Sequence, residues 1–262
     1  MSTLWLVGCG TMAGAMLSRW LDAGMDPARV TVITPRATRN DVRVLRVLPD
    51  EAPPTMLMLG VKPQMLGDVA PGLQAASKDA LLLSILAGTT IATLKNLFPA
   101  ARGVARIMPN LPVAIGKGVV ALHADAAVDD HNAVTNLMAP LGLVEWIANE
   151  SHFDAVTALS GSGPAFVYRF IDALAQGGIA LGLPADQAAR LAVATVEGAG
   201  LLAAASDVSP AELAKRVAGK GGSTRNGLDV FDSDEALAAL VVAALKASEQ
   251  RNRELAMLTH SG

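Results

Sequence analysis

The chain has 262 residues, of which 52% are hydrophobic and 17% charged, and a formal net charge of −3. So apolar a composition excludes a disordered segment and gives enough length to bury a sizeable core. With 21 Lys and Arg against 24 Asp and Glu, and 3% aromatic residues, there is neither a basic excess nor a set of stacking platforms for nucleic acid.

The single Cys9 allows no internal disulfide, which fits a reducing compartment and a cytoplasmic protein. No uncharged apolar run reaches the roughly 18 residues of a membrane span, and a first basic residue as late as Arg19 speaks against a signal peptide.

Short apolar runs open the chain: Leu4–Val7, Val30–Ile33, Met56–Val61, Leu81–Leu86, Val104–Met108, Val119–Leu122 and Val144–Ile147. Segments of helical spacing lie between several of them, at Ala13–Ala23, Met65–Ala75 and Asp129–Met138. Alternating strands and helices predict βαβ units on a mostly parallel sheet, an α/β Rossmann-like domain over residues 1–149. Runs such as MLMLGV and LLLSIL are apolar at nearly every position, as strands covered on both faces are. From Ser151 onward the spacing turns helical. Pro164, Pro184 and Pro210 sit where helices begin, and residues 234–257 read as one long helix. Residues 150–262 are therefore expected to form an all-α domain of about five helices. Its Ala- and Leu-rich helices carry more apolar surface than one small bundle hides, which predicts an oligomer.

Gly8-Cys9-Gly10-Thr11-Met12-Ala13 follows the first strand and opens a helix, the context that gives Gly-x-Gly-x-x-Ala its meaning as a dinucleotide-binding turn. Gly8 makes the tight turn, and Gly10 admits a pyrophosphate to the free N–H groups of the helix start. An NAD site carries an acid at the tip of the second strand. Here the tip is Thr34-Pro35-Arg36, with Arg39 following and Asp26 at the strand's other end. A hydroxyl and a guanidinium suit a 2′-phosphate, so NADPH is the expected cofactor, with NADH a weaker second.

The next strands end in Val61-Lys62-Pro63 and Ala87-Gly88, again at carboxyl ends, where open α/β sheets bind ligands. Three further clusters carry the substrate signal: Arg106-Ile107-Met108-Pro109-Asn110-Leu111-Pro112, Ser160-Gly161-Ser162-Gly163-Pro164 and Gly219-Lys220-Gly221-Gly222-Ser223-Thr224. The last two precede helices, and a glycine- and serine-rich helix start suits a carboxylate. Glycine and serine also serve as plain caps. His123, His131, His152 and His260 stand outside every motif, and neither paired carboxylates nor a metal-ligand cluster is evident.

Read in order, GCGTMAGA, GVKPQ, SILAG, RIMPNLP, LSGSGPAFVY and GKGGSTRNGL resemble the pyrroline-5-carboxylate reductase family over nearly the whole chain. The resemblance implies an NADPH-dependent reduction of L-1-pyrroline-5-carboxylate to L-proline, the last step of proline biosynthesis. It implies an intertwined homodimer or a ring of dimers, in which the cofactor and the GGST loop come from different chains. By the same resemblance, Gly221, Gly222, Ser223 and Thr224 hold the substrate carboxylate through backbone N–H groups. The Thr224 hydroxyl meets the ring nitrogen as the catalytic contact. Ser160, Gly161, Ser162, Gly163 and Pro164 form the facing wall, and Asn110 and Pro112 lie near the nicotinamide.

The chain departs from the family pattern at Gly219-Lys220, where a Ser-Pro or similar pair is usual, at Ser223, often Thr, and at Leu111, usually Thr. The stretch from Thr34 to Thr55 is also short. Two other functions remain compatible with these residues. One is an NADPH-dependent reductase of small keto or hydroxy acids, using a lysine such as Lys215, Lys220 or Lys246. The other is a nucleotide-sensing module without turnover.

Overall fold

The computed structural model describes residues 3–35, 39–125 and 128–259. The chain divides into two compact units, one of residues 1–162 with 248–262 and the other of residues 163–247.

The first unit is built on an eight-stranded sheet. Its strands are β1 (Leu4–Val7), β2 (Val30–Ile33), β3 (Arg43–Leu45), β4 (Met56–Leu59), β5 (Leu81–Ser84), β6 (Gly103–Pro109), β7 (Gly118–Ala124) and β8 (Gly142–Trp146). They lie in the order β3-β2-β1-β4-β5-β6-β7-β8. All neighbours pair parallel except β6 and β7, which pair antiparallel with Arg106 opposite His123. The sheet is thus mostly parallel, and its strand order reverses at β1, between β2 and β4.

Helices α1 (Thr11–Asp22), α2 (Leu66–Val69), α3 (Gln74–Ser77), α4 (Ile91–Leu97), α5 (Val128–Met138) and α6 (Phe153–Val156) complete this unit, with the end of the last helix of the chain. Alternate strand residues feed two cores. Leu4, Leu6, Met56, Met58, Leu81 and Leu83 pack with Met16, Leu17 and Trp20 of α1. Trp5, Val7, Leu57, Leu59 and Leu82 pack on the opposite face with Leu66, Leu73 and Leu94. A strand buried on both faces has no polar position to spare, which is the physical cause of the uninterrupted apolar runs.

Several elements differ from their expected form; the helix expected from residue 234 begins at Ala236, because Asp234 and Glu235 take φ of 50° and 55°. β3 lies inside the segment read as a connection; it is a three-residue edge strand whose residues are exposed or half-buried, so it carries no apolar run. The helix expected over Met65–Ala75 is broken into α2 and α3 by a 3₁₀ turn at Ala70–Leu73, where Pro71 removes a donor. Helix α4 escaped notice because it is only seven residues long; Thr90 caps it by accepting the Thr93 N–H at 3.2 Å.

The second unit holds α7 (Gly163–Ala180), α8 (Ala185–Ala204), α9 (Pro210–Val217), α10 (Ser223–Asp232) and the first half of α11 (Ala236–Thr259). Ala175, Ala188 and Ala192 form its small buried cluster, with Ile171 and Ile179 beside it. Phe166, Phe170, Leu201, Leu202, Phe231 and Leu240 stand exposed on a single chain, an apolar surface of the kind that partners cover. Among the described residues no helix is long and apolar enough to cross a membrane.

Candidate active site

The Gly-x-Gly-x-x-Ala turn sits at the carboxyl end of β1, at the sheet's switch point. Gly8 has φ +83°, and a Cβ there would stand 2.8 Å from the Gly60 carbonyl oxygen at the end of β4. Gly60 is equally confined: its own Cβ would lie 2.9 Å from the Gly8 oxygen and 3.1 Å from the Ala13 Cβ. The first and last residues of the turn are therefore packed against the neighbouring strand's exit.

Gly10 is different. No atom lies within 4 Å of the Cβ it lacks, and it heads α1 without a side-chain cap or an acid in the first turn. The N–H groups at Thr11, Met12 and Ala13 thus stand without a side-chain cap at the positive end of a twelve-residue helix. That donor set fits the pyrophosphate of a dinucleotide. Cys9 is half-buried beside it; burial pushes its thiol up, the Arg39 charge pulls it down and Asp41 pushes it up again. A neutral thiol puts no negative charge next to a phosphate.

At the tip of β2 the Thr34 N–H donates to the Leu45 carbonyl at 2.9 Å. Arg36 lies outside the described residues. Arg39 is committed elsewhere: it forms a two-pronged ion pair with Asp41 and donates to Ser18 Oγ at 2.9 Å and the Gly14 carbonyl at 3.3 Å. The pair holds Arg39 above and Asp41 below their ordinary pKa values, chiefly through the hydrogen bond between them. The nearest acid in this loop is thereby neutralised. Val61 and Pro63 are half-buried, and Lys62 is exposed at the head of a 3₁₀ turn. Ala87 is exposed in a turn whose next residue, Gly88, has φ +73°.

Asn110, just beyond β6, is buried, with both ends of its amide bonded. Its Nδ2 donates to the Ser160 carbonyl at 2.9 Å, and its Oδ1 accepts the Val119 N–H at 2.8 Å. Pro112 is half-buried in the 3₁₀ turn Leu111–Ile115, with Leu111 exposed beside it. Arg106, on the same strand, is buried over the Phe153 ring, 4.4 Å from its centroid, and donates to Glu150 Oε1 at 2.7 Å. That same oxygen accepts the Ile91 N–H at 2.8 Å. β6 therefore fastens the segment 150–160 at both of its ends. Arg106 stands in one of the motifs the sequence offers, but its partner Glu150 does not, because a pairing across 44 positions leaves no local signal.

The Ser-Gly-Ser-Gly-Pro motif is more tightly wound than a loop. Thr157–Gly161 form a π-helical turn leading into α7, a distortion frequent at functional sites. Ser160, Gly161 and Ser162 belong to the first unit, Gly163 and Pro164 to the second. The Ser160 hydroxyl donates to its own backbone at Val156 O, 2.9 Å away, whereas the Ser162 hydroxyl pairs with that of Ser248 at 2.8 Å.

Within the second unit, Gly221 has φ +76° and Gly222 caps α10, which begins at Ser223, two residues earlier than the sequence suggests. This ten-residue helix has no side-chain cap and no acid in its first turn, and Ser223 and Thr224 are exposed. The first cation of α10, Arg225, is neutralised by Asp232 and Asp229, which hold its pKa above the usual value. Backbone donors and two hydroxyls are what this loop offers a ligand. By contrast, a hollow of about 380 Å³ beside Thr3, Leu4, Met25 and Met56 lies at the amino ends of β1 and β4, away from every motif.

A glycine turn on a parallel sheet's switch point, followed by a helical unit, defines a two-part dinucleotide-binding oxidoreductase. Residues 3–88 match the family model for NADP oxidoreductase, coenzyme F420-dependent, and residues 150–255 match that for pyrroline-5-carboxylate reductase dimerisation. The chain is 34% identical to the pyrroline-5-carboxylate reductase of Pseudomonas aeruginosa over 95% of each protein, and 40% identical to pyrroline-5-carboxylate reductase 3 of Danio rerio over 76% of this chain and 70% of that one. It belongs to the pyrroline-5-carboxylate reductase family. The pyrroline-5-carboxylate reductase of Coxiella burnetii, 27% identical, shares the fold with a TM-score of 0.88 over 97% of this chain and 98% of that one.

Proposed function

We propose that the chain reduces L-1-pyrroline-5-carboxylate to L-proline with NADPH, the final step of proline biosynthesis. The observation that carries this reading is the α10 start: an uncapped, acid-free helix N-terminus with the exposed Ser223 and Thr224, in a chain of this family. Backbone N–H groups at Gly221, Ser223 and Thr224 take the substrate carboxylate, while the Gly222 N–H, expected to join them, donates to the Gly219 carbonyl at 2.9 Å and holds the loop's turn. The Thr224 hydroxyl meets the ring nitrogen, accepting from the protonated imine or donating to the neutral one. Ser160, Gly161, Ser162, Gly163 and Pro164 complete the substrate contacts.

The cofactor supplies a hydride to the ring C=N carbon, and the nitrogen ends as the protonated amine of proline. Once protonated, the imine is already a strong electrophile, so the chain's part is to place and orient rather than to supply a strong acid. Gly8, Cys9, Gly10, Thr11, Met12 and Ala13 receive the pyrophosphate. Thr34 and Arg36 face the 2′-phosphate, and the acid-free strand tip and the neutralised Asp41 support NADPH over NADH. Val61, Lys62, Pro63, Ala87, Asn110 and Pro112 line the remaining cofactor path.

The division of labour runs near residue 149, with the NADP(H)-binding part at 1–149 and the dimerisation and substrate part at 150–262. The exposed apolar helices of the second unit support a homodimer, alone or in a ring of dimers. A lone half-buried Cys9 supports a cytoplasmic setting. Turnover of NADPH with pyrroline-5-carboxylate, set beside small 2-keto acids, tests the reading. Oxidation only with the cyclic imine is expected; a preference for a keto acid overturns it.

A further inference from the structure

We propose that Ser248, on the last helix, is a positioning residue for the substrate site and acts through Ser162. The proposal rests on reading Ser160–Pro164 as substrate-binding. The two hydroxyl oxygens are 2.8 Å apart and part-buried, and both residues belong to the first unit. One turn further along α11, Asn252 Nδ2 reaches the Asp154 carbonyl at 3.5 Å, and Arg253 Nε stands 4.0 Å from the Asp154 carboxylate. The end of α11 is thus laid along the segment that leads into the motif.

Within that motif, Ser160 turns its hydroxyl proton back on Val156 O, and its carbonyl accepts from Asn110. The Ser162 N–H is spent on Thr157 O at 3.0 Å. The Ser162 hydroxyl is the motif's one side-chain donor not turned back on its own backbone. A hydroxyl has one proton and two lone pairs, so it can donate to one group while accepting from another. With a carboxylate in front of it, Ser162 gives its proton to the anion, and Ser248 donates into Ser162 from behind. Such a chain of donors polarises each member and fixes the rotor, which otherwise samples its staggered wells.

A purely structural serine at this place would behave differently. Ser248 sits inside a long helix, where alanine is the better helix former, so Ser248→Ala should leave Tm unchanged or slightly raised. The full-length chain serves for the test, with kcat, KM for pyrroline-5-carboxylate, NADPH affinity and Tm measured for Ser248→Ala, Ser248→Thr, Ser162→Ala and the double alanine variant. In Ser248→Ala, KM is expected to rise about three- to tenfold, the fold-change given by the net worth of one neutral hydrogen bond. kcat, NADPH affinity and Tm should hold, and Ser248→Thr should recover most of the loss. In the Ser162→Ala background, Ser248→Ala should cost nothing further.

An unchanged KM, a full additional loss in the Ser162→Ala background, a threonine variant as poor as alanine, or a joint fall of Tm and NADPH affinity overturns the proposal. A wild-type chain that leaves NADPH unoxidised with pyrroline-5-carboxylate overturns the functional reading itself, and this one with it.

Discussion

Gly8 and Gly60 exclude each other's side chains: each would put a Cβ within 2.9 Å of the other's carbonyl oxygen. They end the two adjacent central strands, β1 and β4, and this contact brings the dinucleotide turn onto the sheet's switch point. The Ala13 Cβ, which would stand 3.1 Å from a Gly60 Cβ, adds to the crowding at the same place.

The two glycines of the turn should therefore fail differently when replaced. Gly8→Ala meets a backbone carbonyl and also pays for a left-handed φ, about 1–2 kcal/mol from the backbone alone, so thermal unfolding should shift downward. Gly10→Ala meets nothing within the chain and should leave Tm unchanged. Its methyl instead enters the space of the pyrophosphate and should weaken NADPH binding by about tenfold or more. Calorimetry and a direct NADPH titration on both variants separate the effects; a Gly10→Ala protein with native affinity would place the pyrophosphate elsewhere.

Asn110 carries two part-buried hydrogen bonds, one to the Ser160 carbonyl and one from the Val119 N–H. Asn110→Ala orphans the Ser160 carbonyl and the Val119 N–H and should cost about 1–3 kcal/mol for each group left buried. Asn110→Asp keeps an acceptor for Val119 but sets a carboxylate oxygen against the Ser160 carbonyl, so it should be no better than alanine. Denaturant unfolding reads both, and an aspartate variant as stable as the native chain would show that the bond to Ser160 is dispensable.

Much of this architecture can be read directly from residue order, and the failures have definite causes. β1 and β2 fall on the runs Leu4–Val7 and Val30–Ile33 because strands covered on both faces must be apolar throughout. β3 has one uncovered side and three residues, so no periodicity marks it. The glycine turn was legible because its chemistry is local, set by six consecutive residues. The long-range contacts that fix the Ser160–Pro164 motif and the segment before it were not: Arg106 with Glu150, Asn110 with Ser160 and Ser162 with Ser248 join residues 44, 50 and 86 positions apart. Nor does composition reveal that Asp41 cancels Arg39, since either charge alone reads as a solvated loop residue.

Cofactor choice should rest on Arg36 rather than Arg39, which is already paired with Asp41. Arg36→Ala is expected to raise KM for NADPH while leaving NADH nearly untouched, since only NADPH carries the 2′-phosphate. Parallel kinetics with both cofactors check this. An equal loss with each would remove Arg36 from phosphate recognition.

Thr224→Ala keeps every backbone donor of the α10 start and deletes one exposed hydroxyl. The loss of a hydrogen bond to a charged group, about 1.5–3 kcal/mol, corresponds to a roughly ten- to hundredfold fall in kcat/KM, with NADPH affinity unchanged. Thr224→Ser should recover most of the activity. Unchanged kcat/KM in the alanine variant would leave the backbone loop as the whole of the carboxylate and nitrogen site.

The central claim, direct hydride reduction of a cyclic imine, is open to one isotope measurement. The chain is mixed with pyrroline-5-carboxylate and NADPH that carries deuterium at both C4 positions of the nicotinamide, and the product is examined by mass spectrometry. The account predicts proline with a single deuterium, on the ring carbon formerly double-bonded to nitrogen, formed mole for mole with the NADPH consumed. Unlabelled proline, or NADPH consumed without proline, would contradict it.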